Sequence, residues 1–390
     1  MVVPKAEVKL TNSWAPFNLG YIASYLRKEI PEVEVRIFDG LIGQNVEKEI
    51  LNFQPNIVGV TAVTPQALAA YALLDRLKQN RPDILRVIGG IHATVCPEEA
   101  LLHSDIVVKG EGEQAFVDIV RKFMKNEHTD SIIEAVPIEN LDDIPSPAFD
   151  LLAIKEYFKN NPVILGLNFP IIGLVTSRGC PFRCKFCWNS SRVAKVRYFS
   201  AQRIVDEILF FHKNYGVKSV FFNDDEFLIN KKRLGELAVL FRSYGLDQWL
   251  TWGCQARAKT ITEETLKLAK SIGCVIVLVG LESATPRILK YLKNGSTTVA
   301  DNERALEIAV KVGMAMGGSF IFGTPTETLS EMEQTFKWFE NNNNLKFIGV
   351  NTIIPYPGTE VWNLCKERGL LPEKVNYNLL VPTGIPSKTY

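Results

Sequence analysis

No apolar run in this 390-residue chain approaches the length needed to cross a bilayer. The opening stretch, MVVPKAEVKL, has no basic segment leading into an apolar one. No signal peptide is therefore expected, and a cytoplasmic location is. Charge of one sign is also lacking. The chain carries 44 basic and 43 acidic residues, a net of +1, which argues against nucleic acid or another polyanion as the dominant partner. Cysteine is sparse at seven residues, and three of them are bunched, which does not suit a disulfide framework and does suit a reducing compartment. Neither an internal repeat nor a low-complexity tract is visible. What remains is a chain long enough for two or three domains, each able to bury a core.

The bunched cysteines form the segment Cys180-Pro181-Phe182-Arg183-Cys184-Lys185-Phe186-Cys187, straight after the apolar run Ile171–Val175. Thiolates are soft ligands that suit zinc or an iron–sulfur cluster. A closed zinc site needs four ligands, and the next Cys and His are Cys254 and His212. Three ligands on a four-iron cluster would leave one iron open to a substrate or cofactor. Zinc with a distant fourth ligand stays open at this point.

Residues 1–125 alternate short apolar runs with amphipathic stretches. Val35–Phe38, Ile57–Val63, Leu85–Ile88 and Ile106–Val108 predict buried parallel strands. Leu19, Ile22, Ala23, Leu26 and Ile30 trace a helical stripe between them, as do Leu68, Tyr71, Leu74 and Leu77. This alternation predicts a doubly wound α/β domain over 1–130 with a clipped first strand. Pro137, Pro145, Pro147 and Pro162 mark residues 131–168 as a linker with a short helix near Leu151–Phe158. A second alternation follows over 169–365. Strands are expected at Ile171–Val175, Ser219–Phe222, Leu250–Cys254, Val275–Val279, Phe320–Phe322 and Phe347–Thr352, with five helices between them. Six βα-type units fit a parallel barrel or part of one, whose chemistry gathers at the C-terminal strand ends, where the cysteine loop lies. Residues 366–390 predict a short tail.

The segment TSRGCPFRCKFC resembles the signature of the radical S-adenosylmethionine (SAM) superfamily, in the subgroup that carries a cobalamin-binding domain ahead of the radical SAM domain. The resemblance implies a partial (β/α)6 barrel. It also implies a [4Fe–4S] cluster on Cys180, Cys184 and Cys187, SAM on the open iron, and Phe186 near the adenine. PFNLGYIASYLRK and IGGIHATVCPEEAL are close to that subgroup as well.

For the first domain, the resemblance implies cobalamin held at strand ends by small or polar residues. These are Thr61, Val63 and Thr64 after one strand, Gly89, Gly90 and His92 after the next, and Gly110 and Glu111 after the last. Many cobalamin domains carry Asp-x-His-x-x-Gly, whose His coordinates cobalt. Here the matching Asp39-Gly40-Leu41-Ile42-Gly43 has no His. The cofactor is therefore expected with its base displaced and no lower His ligand. His92 is read foremost as a histidine that bonds backbone or the nucleotide tail, and Cys96 as a small buried hydrophobe.

For the barrel, the resemblance places SAM-holding groups after successive strands. Asp224 or Asp225 is expected at the ammonium and Arg257 at the carboxylate. Glu282 or Ser283 is expected at the methionine or ribose hydroxyls, with Ile321 beside adenine. Trp14, Trp188 and Tyr356 are candidates to wall a substrate cavity, and Cys254, Cys274 and Cys365 are read as structural.

The implied activity is methyl transfer from SAM by way of cobalamin to an unactivated carbon or to phosphorus of a small molecule or peptide, with a flavodoxin- or ferredoxin-type electron donor. A cobalamin-dependent radical SAM cyclase or rearranging oxidoreductase is the alternative, and a non-catalytic cobalamin sensor a further one. A methylthiotransferase would carry three more cysteines in the first domain, where only Cys96 stands.

Overall fold

The computed structural model describes residues 1–5, 14–159, 162–191 and 195–381. The chain divides into two compact units. One holds Met1–Asn160, Tyr356–Gly358 and Cys365–Val381; the other holds Asn161–Pro355 and Thr359–Leu364.

The first unit is built on six parallel strands: β1 Val2–Val3, β2 Phe38–Asp39, β3 Ile57–Thr61, β4 Leu85–Gly89, β5 Ile106–Lys109 and β6 Ile132–Glu134. Their order is β2-β1-β3-β4-β5-β6. The winding direction reverses between β1 and β3, which creates the crevice where doubly wound folds bind ligands. Val58, Val60, Val87, Ile88, Val107 and Val108 are all buried, as expected of strands covered on both faces. The amphipathic helices Phe17–Glu29 and Gly112–Met124 pack together, tied by Tyr25 to Gln114 at 2.9 Å and Arg121 to Glu29 at 2.8 Å.

Two stretches behave differently from the sequence expectation. The presumed linker supplies β6 and then buries Leu141, Ile144, Ile154 and Tyr157 in the first unit. Its two apolar strand residues, Ile132 and Ile133, are too few to show a period. The presumed tail forms a turn at Tyr377–Leu379 that packs onto the same unit, with Tyr377 buried.

The second unit begins with β7 Ile171–Leu174. A small antiparallel pair follows, β8 Ser177–Arg178 with β9 Arg197–Tyr198, and then β10 Ser219–Phe222, β11 Thr251–Ala256, β12 Cys274–Glu282, β13 Ala315–Phe322 and β14 Leu345–Thr352. The main sheet runs β14-β13-β12-β11-β10-β7, all parallel. β7 and β14 do not pair with each other, so the barrel is open. Phe347 and Ile348 on the β14 edge are 53% and 38% exposed. Trp252, Phe222 and Phe320 are fully buried at its heart. Among the described residues no helix is long and apolar enough to cross a membrane.

Candidate active site

The cysteine loop is clamped at its root and in its middle. The β8–β9 pair closes its two arms, and the Phe199 amide donates to the Thr176 carbonyl at 3.1 Å. Gly179 takes φ +95°, the left-handed conformation that glycine adopts without strain, and turns the chain into Cys180. The Cys187 amide donates to the Cys184 carbonyl at 3.0 Å, and the Lys185 amide to the Leu292 carbonyl at 3.0 Å. Lys185 also pairs with Glu360 at 2.8 Å. Cys184 is buried, while Cys180 and Cys187 are half-buried. Burial raises the Cys180 thiol and pushes Cys187 up to about 12. Bound cations reverse that preference by stabilising thiolate.

A single zinc ion would draw its sulfurs to within roughly 4 Å of one another. The three motif thiols lie close enough to raise one another's pKa, as a shared cationic centre would require.

Asp224 is spent on the fold. Its side chain is 0% exposed. It accepts from the Thr176 amide at 2.5 Å, from Thr176 Oγ1 at 2.7 Å and from Ser177 Oγ at 2.6 Å, and it faces Arg233 at 3.4 Å. These contacts tie the root of the cysteine loop to β10. Asp225 accepts from Asn189 at 2.9 Å, and burial raises its carboxyl. Glu226, which the sequence reading passed over, is 4% exposed. Its Oε1 accepts from Thr260 at 3.0 Å and its Oε2 has no partner among the described residues. Burial lifts it to about 7.

Arg257 stands at the cysteines. Its Nη1 donates to Cys184 Sγ at 3.4 Å, its Nε to Thr297 at 2.7 Å and its Nη2 to Ser296. Phe182 stacks on the guanidinium at 4.0 Å. Three of its five donors are thus held by protein groups.

Glu282, at the end of β12, has φ +61°, a costly conformation for a residue with a side chain. The register shifts between Gly280 and Glu282, and a Cβ on Gly280 would lie 2.2 Å from Glu282 Oε1. Glycine there lets the carboxylate fold back to Lys293, whose Nζ donates to it at 2.7 Å within a buried pair. Lys293 in turn lies 5.9 Å from the Phe186 ring centre. Lys293 and Ser296 fall in a polar loop with no period, so nothing in the sequence marked them. Ser283 is 0% exposed and bonded to Thr335 at 3.1 Å and to the Thr285 amide at 3.1 Å, so its hydroxyl is engaged within the protein. Ile321 lies near the end of β13, half-buried. Cys254 and Cys274 are buried in strands and Cys365 lies in a helix, positions open to a purely structural part.

In the first unit, Gly90 takes φ +92°, and a Cβ there would meet the Ala62 carbonyl at 2.8 Å. Gly89 ends β4 beside it. Thr61 ends β3 and accepts from Asn18 at 3.3 Å; Val63 is exposed and Thr64 buried. Gly110 takes φ +102° and its amide donates to Thr94 at 3.1 Å, ahead of Glu111 at the start of the next helix. Asp39 accepts from Tyr157 at 2.5 Å and from the Leu41 amide at 2.9 Å, which folds the 39–43 stretch into a closed turn. His92 is 0% exposed, with Nδ1 3.4 Å from Thr64 Oγ1. Burial lowers it to about 4. Trp14 and Tyr356 belong to the first unit and Trp188 to the second, and all three are half-buried.

Residues 174–339 match the model of the radical SAM superfamily and residues 7–120 that of the B12 binding domain. An uncharacterized methyltransferase of Pyrococcus horikoshii is 35% identical over 378 residues, covering 91% of this chain and 79% of that protein. The chain belongs to the cobalamin-dependent radical SAM family. An anaerobic magnesium-protoporphyrin IX monomethyl ester cyclase of Rubrivivax gelatinosus is 28% identical, covering 97% of this chain and 71% of its own. Among solved structures, the radical SAM methyltransferase TsrM of Kitasatospora setae, with cobalamin and a [4Fe–4S] cluster bound, superposes with a TM-score of 0.75 at 18% identity. That match covers 94% of this chain and 74% of the other and bears on the fold. The doubly wound unit followed by a partial barrel is thus the architecture of this family.

Proposed function

We propose that this chain is a cobalamin-dependent radical SAM methyltransferase that moves a methyl group from SAM, by way of cobalamin, to an unactivated carbon or to phosphorus of a small molecule or peptide. One observation carries the reading. A three-cysteine loop follows the first strand of an open parallel barrel in a chain that also holds a doubly wound B12-binding unit. The functional extents we assign are 1–130 for cobalamin and 169–365 for SAM.

When bound, the cluster supplies the electron that cleaves SAM and cobalamin carries the methyl group. The protein's part is positional. Cys180, Cys184 and Cys187 hold the iron. Arg257 keeps a fixed positive charge against Cys184 and has donors left for a carboxylate. Asp225, whose carboxyl is raised by burial, is the acid assigned to accept from the SAM ammonium, a cation that would favour its ionised form. Phe186, Glu282 with its Lys293 partner, and Ile321 border the nucleoside. Thr61, Val63, Gly89, Gly90, Gly110 and Glu111 line the cobalamin tail, where Gly90 and Gly110 permit close backbone approach. Thr64 backs them through His92. Leu41 stands where a cobalt-ligating histidine would be needed and His92 is sealed in the protein, so neither would offer a bound cobalamin an imidazole. A flavodoxin- or ferredoxin-type protein is the assigned electron donor.

Support for methylation over other radical chemistry comes from the 35% identical relative, which is named a methyltransferase. A cyclase reading draws on the second relative, matched across 97% of the chain. The deciding experiment is anaerobic turnover with methyl-labelled SAM and candidate substrates, read by mass spectrometry. Methylation yields labelled product with S-adenosylhomocysteine and 5′-deoxyadenosine in equal amounts. 5′-Deoxyadenosine with no S-adenosylhomocysteine overturns it in favour of cyclisation or rearrangement.

A further inference from the structure

We propose that His92, Cys96 and Glu99 form a zinc site in the first unit, separate from the iron–sulfur loop and capped by Tyr377. One ligand atom from each of the three residues lies within 4.8 Å of the others. The spacing is four and then three residues across two short helices joined at Cys96, which has the non-helical φ of −129°. His92 sits on the short helix Ile91–Val95, Cys96 ends it with its amide on the His92 carbonyl at 2.9 Å, and Glu99 follows in the helix Pro97–Leu101. The bend at Cys96 between the two helices, rather than one continuous helical face, brings the three side chains together.

A second observation points to a ligand. His92 is 0% exposed, and its Nε2 has no hydrogen-bond partner among the described residues. A buried ring nitrogen left empty is costly, and metal coordination satisfies it. The walls are aromatic: Tyr71 lies 5.9 Å from the His92 ring and Tyr377 lies 4.6 Å from it, edge-on. The Tyr377 hydroxyl donates to Glu99 at 2.7 Å and also faces the Cys96 thiol. That hydroxyl, or a water in its place, supplies a fourth position.

The donor set selects the ion. One sulfur, one imidazole nitrogen and one carboxylate oxygen suit zinc, whereas calcium and magnesium take oxygen alone. Binding releases the thiol proton to solvent. The resulting thiolate and the carboxylate then neutralise the dication, as a largely buried site requires. The ion would lock the turn that follows Gly90 and pin the Tyr377–Leu379 segment over it. This proposal does not depend on the reading of the barrel.

The test uses the full chain carrying Cys180→Ala, Cys184→Ala and Cys187→Ala, so that the iron-binding thiols do not compete. It is incubated with zinc alone, cleared with a weak chelator and assayed by mass spectrometry for metal content. About one zinc per chain is expected. Cys96→Ala and Glu99→Gln should each lose it, and Cys365→Ala should keep it, with circular dichroism confirming that each variant is folded. If the triple variant does not fold, cobalt(II) added to the otherwise native chain gives the same answer. A sulfur-to-cobalt absorption in the near ultraviolet should shrink in Cys96→Ala relative to the parent. Zinc content unchanged by both Cys96→Ala and Glu99→Gln, no zinc retained by the folded parent, or an unchanged cobalt spectrum overturns the proposal.

Discussion

Replacing Asp224 by Asn tests whether this acid is part of the scaffold or part of the SAM site. The substitution keeps the shape and leaves an acceptor for the Thr176 amide, and the hydroxyls of Thr176 and Ser177 can turn to suit the new amide. What it removes is the charge facing Arg233, whose side chain is 6% exposed. Breaking one side of a buried pair costs about 3–5 kcal/mol. The separation here is long at 3.4 Å, and the guanidinium also lies over Tyr198 and Phe227 at 5.0 and 5.1 Å. Those rings hold part of the charge, which puts the loss near the low end, about 3 kcal/mol. For a body of roughly 200 residues that lowers Tm by about 6–12 °C. Differential scanning calorimetry of the protein without cofactors reads this directly. Arg233→Met in the Asp224→Asn background should recover most of the loss, because the orphaned cation is then gone. Asp225→Asn should shift Tm by less than about 2 °C, as a substitution away from any buried pair does, yet weaken SAM binding. The reasoning fails if Asp224→Asn melts with the parent, or if the added Arg233→Met deepens the loss.

Arg257→Lys should keep the iron content and raise the SAM dissociation constant at least about tenfold, because a point charge cannot serve Ser296, Thr297 and a carboxylate together; isothermal titration with the reconstituted protein measures it. Glu226 has its carboxyl raised by burial to about 7, so its folded form holds a proton that the unfolded chain has released above about 4.5. Its share of stability is therefore fully present below pH 4.5 and lost as pH rises through 7, a swing on the order of 3 kcal/mol. Glu226→Gln should flatten that part of the denaturation profile between pH 5 and 8, and an unchanged slope would show that the group titrates normally. Gly90→Ala combines a φ of +92° with a Cβ 2.8 Å from the Ala62 carbonyl. It should cost at least about 1–3 kcal/mol and reduce the cobalamin retained after gel filtration, read from the absorption of the corrin.

Much of the frame was legible because buried parallel strands write themselves as unbroken apolar runs. Ser219–Phe222 lies where its run placed it. β13 was seen only as Phe320–Phe322, because Gly317 and Gly318 interrupt the run of a strand that starts at Ala315. β6 and the Tyr377 turn were missed because each holds too few apolar residues to display a period, and both owe their position to tertiary packing. Three consecutive acids, Asp224, Asp225 and Glu226, give no sign in sequence of which turns inward. The answer rests on Arg233, Asn189 and Thr260, which the fold brings to them one by one. In the same way Glu282 was visible as a motif residue, but its Lys293 partner emerged only from the way the loop after the next helix folds back.

The gap between β7 and β14 has a geometric corollary. In a closed barrel, strand number and shear together set the diameter, and a larger guest demands a different ring. Six strands that never meet impose no such quantum. The mouth of this unit can widen by a small change of twist shared among five strand pairs, with every ladder intact. The strain of such a change would be shared along the sheet, from the exposed edge that carries Phe347 and Ile348 to the cysteine loop that follows β7 at the opposite edge.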